Sequence, residues 1–564
     1  MNRQMGAADR HRCLLVADFN LGNFAGLLGN DPEEPKVEVI GTPYGQVVPV
    51  LAPEGGGWRE APDCCLVWTR PEGVCESFGR LLAEEQVELE AVLGEVDEFA
   101  ELLLDVAGRV KGLFAAAWWT PFLHRGYGML DLRPGEGVGG VLLRMNLRLA
   151  DRLGEADNAY LLDTRKWVET AGPAAFQPKL WYMGKIPFGQ QVFAEAVRDL
   201  KAGLNGLDGR GRKLIVVDLD DTLWGGIVGE VGWEQLKLGG HDHVGEAFAD
   251  FQRALKGLNR RGILLAIASK NEERVALEGI AQHPEMVLSL DDFAGWRIDW
   301  EDKAQNIADM VAELNLGLQS VVFIDDNPAE RSRVREALPE VFVPEWPADP
   351  ALYPSALLGL RCFDAPRVSV EDRQRSRMYA AERQRWETKR RVPSLQEWLD
   401  SLELKVEVEE LGAANLPRAA QLLNRTNQMN LSTRRLSEGE LRQWAEGSGR
   451  QVWVFHVSDR FGDSGLTGLA SLERRGKEAQ VVDFVLSCRV MGRQIEETMI
   501  HHLGQRAGKA GGERLLVELV PTAKNAPCRD FFFRVFQEEG GESRFVWELE
   551  RDLPLPSHVE LRKR

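Results

Sequence analysis

The stretch LIVVDLDDTLWGG, residues 214–226, runs a short block of β-forming aliphatics into Asp218, Asp220 and Asp221, then Thr222 and a glycine pair. A continuous apolar run bounded by turn residues reads as a fully buried strand of a parallel sheet. Like charges gathered at the end of such a strand repel one another, so something positive must sit among them. An all-oxygen donor set with few imidazoles or thiols nearby selects magnesium, held by one or two carboxylates with positions left for a phosphate oxygen.

Working outward, ILLAIASK ends at Ser269, SVVFIDD ends at Asp325 and Asp326, and MVLSL reads as a further strand, with helical stretches between them. That order is what a parallel sheet with crossover helices requires, and its ligand crevice lies at the carboxyl ends of the strands. Lys303, in DWEDKAQNI, opens a helix just before the last of these strands. The candidate metal ligands are therefore Asp218, Asp220, Asp325 and Asp326, and the candidate phosphate ligands Thr222, Ser269 and Lys303. Asp218 is placed to attack phosphorus in line. Asp220 is then the residue that protonates the leaving oxygen and afterwards activates water. The competing reading of DLDDT, an acidic turn capping a helix, leaves Ser269, Lys303 and IDDN unexplained.

The chain has 564 residues, enough for about three domains, and its 44% hydrophobic and 28% charged content is that of a globular protein. A formal charge of −18 disfavours nucleic acid and anionic membranes as partners. Seven irregularly spaced cysteines argue for free thiols rather than a disulfide framework. The N-terminal MNRQMGAADRHRCLLVADF has a short apolar run interrupted by Asp18, a poor signal peptide, so a cytoplasmic protein is expected.

Residues 1–185 alternate short β-like runs (RCLLVADF, DCCLVWT) with helical stretches such as ESFGRLLAEEQVELEAVLGEV, and form one α/β domain. Residues 186–355 form the phosphate-handling domain, 356–399 a proline-marked linker with a charged helix, and 400–564 a mixed domain of antiparallel strands and helices. About fifty residues separate the first two motifs of the middle domain, and fewer separate the next two. Neither gap holds a large cap, so the site is expected to be open, unless the neighbouring domains serve as a lid.

DLDDTLWGG, AIASKN, WEDKAQN and FIDDNPAER resemble, in order, the four motifs of the haloacid dehalogenase (HAD) phosphatase superfamily. With LNRTNQMNLSTRR, residues 423–435, the longer context looks like the FkbH-like subfamily of polyketide biosynthesis. That resemblance implies Asp218 as nucleophile, Asp220 as acid and base, and Asp218, the Asp220 carbonyl and Asp325 on magnesium. It also implies transfer of a glyceryl unit from 1,3-bisphosphoglycerate, a phosphorylated three-carbon acyl donor, to the phosphopantetheine thiol of an acyl carrier protein, with loss of phosphate. The alternatives are a phosphatase of another small phosphate and a carrier-binding assembly protein.

SCRVMGRQIEETMI, residues 487–500, is similar to the coenzyme A loop of GCN5-related N-acetyltransferases (GNAT), with Gln494 at its last small-residue position. It offers Arg489, Gly492 and Arg493 to a pantetheine arm at a helix N-terminus, and Asn525 in TAKNAPCRDFFFRVF completes the set. Cys488, between Arg489 and that helix, is either an acyl-carrying thiolate or a small buried hydrophobe; Asp483 and His456 are its candidate activating neighbours. The N-terminal domain looks like an SGNH hydrolase whose serine block reads ADFN and whose histidine position holds Lys166, hence a scaffold or docking surface. The expected architecture is thus a capless HAD Rossmannoid sheet flanked by an N-terminal SGNH-like α/β domain and a C-terminal GNAT-like α+β domain.

Overall fold

A computed structural model describes residues 10–563, leaving out 121–123, 134, 136, 241, 315, 369–377, 379–380, 382–384, 386–387, 390–391, 427, 523–524 and 540–542; at 425 and 488 only the backbone is described. The chain divides into two compact units, Met1–Leu290 with Trp296–Arg373, and Asp291–Gly295 with Gln374–Arg564. Most of the charged helix read over 370–391 lies outside the described residues.

Among the described residues the strands form three sheets. In the first, β1 (Arg10–Ala17), β2 (Lys36–Gly41), β3 (Cys64–Trp68), β4 (Gly112–Ala116) and β5 (Ala159–Leu162) run parallel in the order β2-β1-β3-β4-β5. Alternate residues of its strands face opposite layers, so both faces are covered. Leu14, Val16, Cys65 and Val67 pack with the helices Leu89–Ala107 and Val138–Leu153. Cys13, Leu15, Leu66 and Trp68 pack with Gly22–Asn30 and Gln190–Leu207. That last helix, which the sequence boundary at 185/186 gave to the middle domain, lays Val192, Phe193, Ala196, Val197 and Leu200 on the first sheet. The stretch 76–96 is two helices, Glu76–Leu82 and Leu89–Ala107, rather than one, with Glu84 between them at φ +62°.

The second sheet has β6 (Leu214–Val217), β7 (Leu264–Ser269), β8 (Phe293–Ile298) and β9 (Val321–Ile324) in the order β8-β7-β6-β9. Residues 286–290, MVLSL, are not a strand; the fourth strand is FAGWRI at 293–298. All four residues of β6 are fully buried, as a central parallel strand requires. Parallel register pairs Val217 with Ile267 on one side and Ile324 on the other, so the next residues, Asp218 and Asp325, emerge side by side.

The second unit carries β10 (Leu404–Glu410), β11 (Met429–Asn430), β12 (Arg450–Asp459), β13 (Gly462–Arg475), β14 (Glu478–Leu486), β15 (Arg514–Glu518), β16 (Gln537–Glu538), β17 (Arg544–Glu548) and β18 (Val559–Lys563). Its order is β16-β17-β15-β14-β13-β12-β10-β18, with β11 on β14. Parallel pairing of β15 with β14 stops at Val481, and β11 covers β14 farther along, at Val485 and Leu486. The helix Ile495–Lys509 packs Ile495, Met499, Ile500 and Leu503 into this unit's core. No helix among the described residues is long and apolar enough to cross a membrane.

Candidate phosphoryl-transfer site

The three aspartates of DLDD have three different jobs. Asp218 leaves β6 into the crevice, 7% exposed, with its backbone N–H donating to Ile324 O at 3.0 Å. Asp220 is turned aside and held at both oxygens: Oδ1 accepts from Trp224 Nε1 (2.9 Å) and Val228 N (3.1 Å), and Oδ2 from Asn271 Nδ2 (2.9 Å). Asp221 is exposed and makes the turn, at φ +52°, a left-handed conformation that Asp tolerates through local hydrogen bonding. Its Oδ1 accepts from Gly226 N at 2.7 Å and its carbonyl from the Tyr353 hydroxyl at 3.2 Å. Gly225 is needed in this turn because a Cβ there would lie 2.8 Å from Phe248 Cε2.

Lys303 answers the sequence's demand for a positive group. Fixed at the start of the helix Lys303–Glu313 by its N-cap Asp302, it places Nζ 2.6 Å from Asp325 Oδ2 and 3.0 Å from Asp218 Oδ1. One ammonium does not balance the cluster, because Asp218, Asp325 and Asp326 each bring a carboxylate oxygen to within 4.8 Å of the others. Asp218 Oδ1 is buried and, although close to Lys303, is without a well-directed hydrogen bond. Arg331 is a second buried cation, but its Nη1 donates to the carbonyls of Asp325 and Asp326 (2.7 and 2.6 Å), not to their carboxylates.

The titration behaviour reports the same imbalance. Burial works against the charge of Lys303, yet Asp218 and Asp325 outweigh it and hold the ammonium protonated. Burial first, and Asp218 second, push Asp325 above the usual carboxylate range, and the same two causes raise Asp326. Two carboxylates compete for one ammonium, and the shortfall is in positive charge. A hard divalent cation fits this donor set. Asp220 is raised above its ordinary carboxylate value chiefly by burial, against its three hydrogen bonds.

The sequence-derived phosphate ligands divide. The Oγ of Ser269, at the end of β7, accepts from Asn271 Nδ2 (3.2 Å), leaving its proton available for a phosphate oxygen. The Thr222 hydroxyl, 0% exposed, donates its one proton to Asp326 Oδ1 (3.2 Å) and accepts from Asp326 N (3.0 Å). Thr222 therefore ties two loops together and has no proton for phosphate. The sequence reading missed Asn271, whose signal was a second polar residue just beyond the strand end in AIASKN.

In the second unit the residues assigned to pantetheine are occupied internally. Arg493 is 2% exposed, 3.3 Å from Asp459 Oδ2, with Nη2 donating to Arg489 O at 2.7 Å. Asn525 is 1% exposed; its Nδ2 donates to Asn430 O (3.0 Å) and Val520 O (2.9 Å), and its Oδ1 accepts from Thr522 N (2.8 Å). It fastens β11 to the chain that follows β15. Arg489 is half-buried, with Nε donating to Ser487 Oγ at 3.3 Å, and Gly492 turns the backbone at φ +75°. The Cys488 side chain lies outside the described residues. Its proposed neighbours are engaged elsewhere: Asp483 with Arg434, Ser432 and Ser471, and His456 with Glu409 (2.7 Å).

No protein-family model matches the chain, and no curated protein matches it. Among solved structures, the N-terminal part of the protein BF1531 from Bacteroides fragilis, containing a phosphatase domain complexed with Mg, is 26% identical. The match covers 65% of this chain and 96% of that one, with a TM-score of 0.59. The first unit is similar in fold to that phosphatase-domain structure. Its parallel sheet and the meeting of Asp218, Lys303 and Asp325 at one edge accord with that likeness. Ribosomal-protein-S18-alanine N-acetyltransferase from Escherichia coli is 14% identical over 25% of this chain and 90% of that one (TM-score 0.20). Spermidine N-acetyltransferase from Vibrio cholerae, in complex with CoA and spermine, is 16% identical over 26% and 96% (TM-score 0.21). Similarity at these values does not identify the second unit.

Proposed function

We propose that the chain is a magnesium-dependent enzyme that removes phosphate at Asp218 and passes a glyceryl unit from 1,3-bisphosphoglycerate to the phosphopantetheine thiol of an acyl carrier protein. The observation that supports the phosphoryl chemistry is the Lys303 ammonium shared by Asp218 and Asp325 beside a third carboxylate, with Asp220 tethered nearby. Asp218, Asp325 and Asp326 would hold the ion. When bound, magnesium neutralises these carboxylates and withdraws charge from the phosphoryl oxygens.

A carboxylate oxygen of Asp218 attacks phosphorus while the P–O bond to the leaving group breaks, and Asp220 gives its proton to the departing oxygen. Water then attacks the aspartyl phosphate, Asp220 takes its proton, and inorganic phosphate leaves. Ser269 and Lys303 bind phosphoryl oxygens throughout. In the acyl step the carrier thiol displaces the acyl phosphate: a C–S bond forms, the C–O bond to phosphate breaks and the thiol proton is released.

A second reading, a phosphatase of another small phosphate, is favoured by the internal engagement of Arg493 and Asn525. Intact-protein mass spectrometry separates the two. Enzyme, holo carrier protein, magnesium and 1,3-bisphosphoglycerate generated in place should yield a carrier heavier by one glyceryl group, and Asp218→Asn should yield none. Phosphate release with an unmodified carrier establishes the second reading instead.

A further inference from the structure

The N-terminal sheet has the order β2-β1-β3-β4-β5, so the chain reverses direction across the sheet between β1 and β3. Parallel sheets bind ligands at that switch point, beyond the carboxyl ends of the strands. A cavity of about 220 Å³ lies there. It is walled by Phe19 after β1, by Trp68 at the end of β3, and by Trp119, Phe176, Trp181 and Phe188. Six aromatic side chains around a cavity smaller than the ~300–1,000 Å³ of drug-sized sites define a slot for one ring and a short arm.

Its polar wall is incompletely satisfied. Arg70, stacked over Trp181 at 4.7 Å, donates Nε to Asp18 Oδ2 (2.8 Å) and Nη1 to Glu72 Oε1 (2.9 Å). Glu72 Oε2 is buried with no hydrogen-bond partner. Thr164, 1% exposed, lines the same cavity, and its hydroxyl also has no partner. Buried polar atoms are rarely left this way without a ligand or water. The open oxygen of the Glu72 carboxylate accepts, so the group that completes the wall must donate a hydrogen bond. The aromatic faces favour a positively charged donor, as Arg70 and Lys185 over Trp181 (4.7 and 4.9 Å) illustrate.

We propose that this cavity is a binding site for a small amine, with its ammonium on Glu72 Oε2, a hydrogen bond to Thr164 Oγ1, and its apolar body between the tryptophans. The domain that lacks the serine and histidine of a hydrolase would then be a ligand-binding module. The site is separate from the phosphoryl-transfer residues and does not depend on their assignment.

Calorimetric titration of the full chain with phenethylamine, phenethyl alcohol and phenylacetate tests this. Phenethylamine should bind saturably at one site and at least tenfold more tightly than the alcohol, with no binding of the acid. Glu72→Gln should weaken the amine at least tenfold, and Thr164→Val, which keeps the volume, several-fold, both with an unchanged melting temperature. Asp218→Asn should leave binding unchanged. Equal binding of the alcohol or the acid, undiminished binding by both variants, or no saturable binding at millimolar phenethylamine would each overturn the proposal.

Discussion

Two buried groups of charges contrast within this chain. In the second unit, Asp459 (side chain 1% exposed) takes Arg385 at both carboxylate oxygens, 2.6 and 2.7 Å, and Arg493 at 3.3 Å. Asp483, elsewhere in the same sheet on β14, is likewise answered by Arg434 and two serine hydroxyls. Both carboxylates have a cation and fixed donors. At the end of β6, by contrast, three carboxylates share one lysine, and an oxygen of Asp218 lacks a well-directed hydrogen bond. Burial and charge alone do not mark a reactive site; the shortfall in partners does.

The comparison breaks most sharply at Asp218. Asp218→Asn removes the nucleophilic oxygen and should lower magnesium-dependent phosphate release about a thousandfold or more, with the melting temperature kept. Release at the wild-type rate would return the cluster to a structural role. Asp459→Asn should do the reverse. It strips the carboxylate charge from two buried guanidiniums and should cost about 3–5 kcal/mol in urea unfolding of the second unit, while phosphate release per folded molecule stays constant. If activity falls and stability does not, the contrast between the groups is wrong.

A smaller effect comes from His502, buried at 3%, with neither ring nitrogen hydrogen-bonded and its ring edge-on to Trp453 at 5.3 Å. Burial first, then the charge of Arg506, hold its pKa down to about 4 from 6.5. Between those pH values the unfolded chain binds the extra proton, so stability is full above about 6.5 and is lost as pH falls toward 4. The loss is on the order of 3 kcal/mol. His502→Leu should flatten the dependence of melting temperature on pH in that window; an unchanged slope would assign it to other groups. The smallest effect sharpens the catalytic side. Asn271→Ala frees one oxygen of Asp220 and should lower kcat about tenfold with little change in KM. A change confined to KM would make Asn271 a substrate contact instead of a positioning residue.

Much of this was legible in the chain. The polar ends of LIVV, LLAIAS and VVFI fall on one sheet edge because parallel strands of matched register must put them there. Lys303 was legible as the residue that opens a helix just before the last strand. Other features were not legible because they depend on partners distant in sequence. MVLSL is as apolar as a strand, but FAGWRI takes the place beside β7. Thr222 carries the right hydroxyl, yet Asp326, 104 residues away, takes its proton. Arg493 and Asn525 have the residue types of a binding loop, and their fixed partners are Asp459, Asn430 and Val520.

By itself, then, the sequence determined the kinds of groups available and the order in which strand ends present them, because alternation, apolar runs and caps act over a few residues. Only the tertiary structure decided which of those groups are left unsatisfied. Hydrogen bonds and ion pairs close between elements far apart in the chain, and a carboxylate becomes a reagent or a strut according to what the fold sets opposite it.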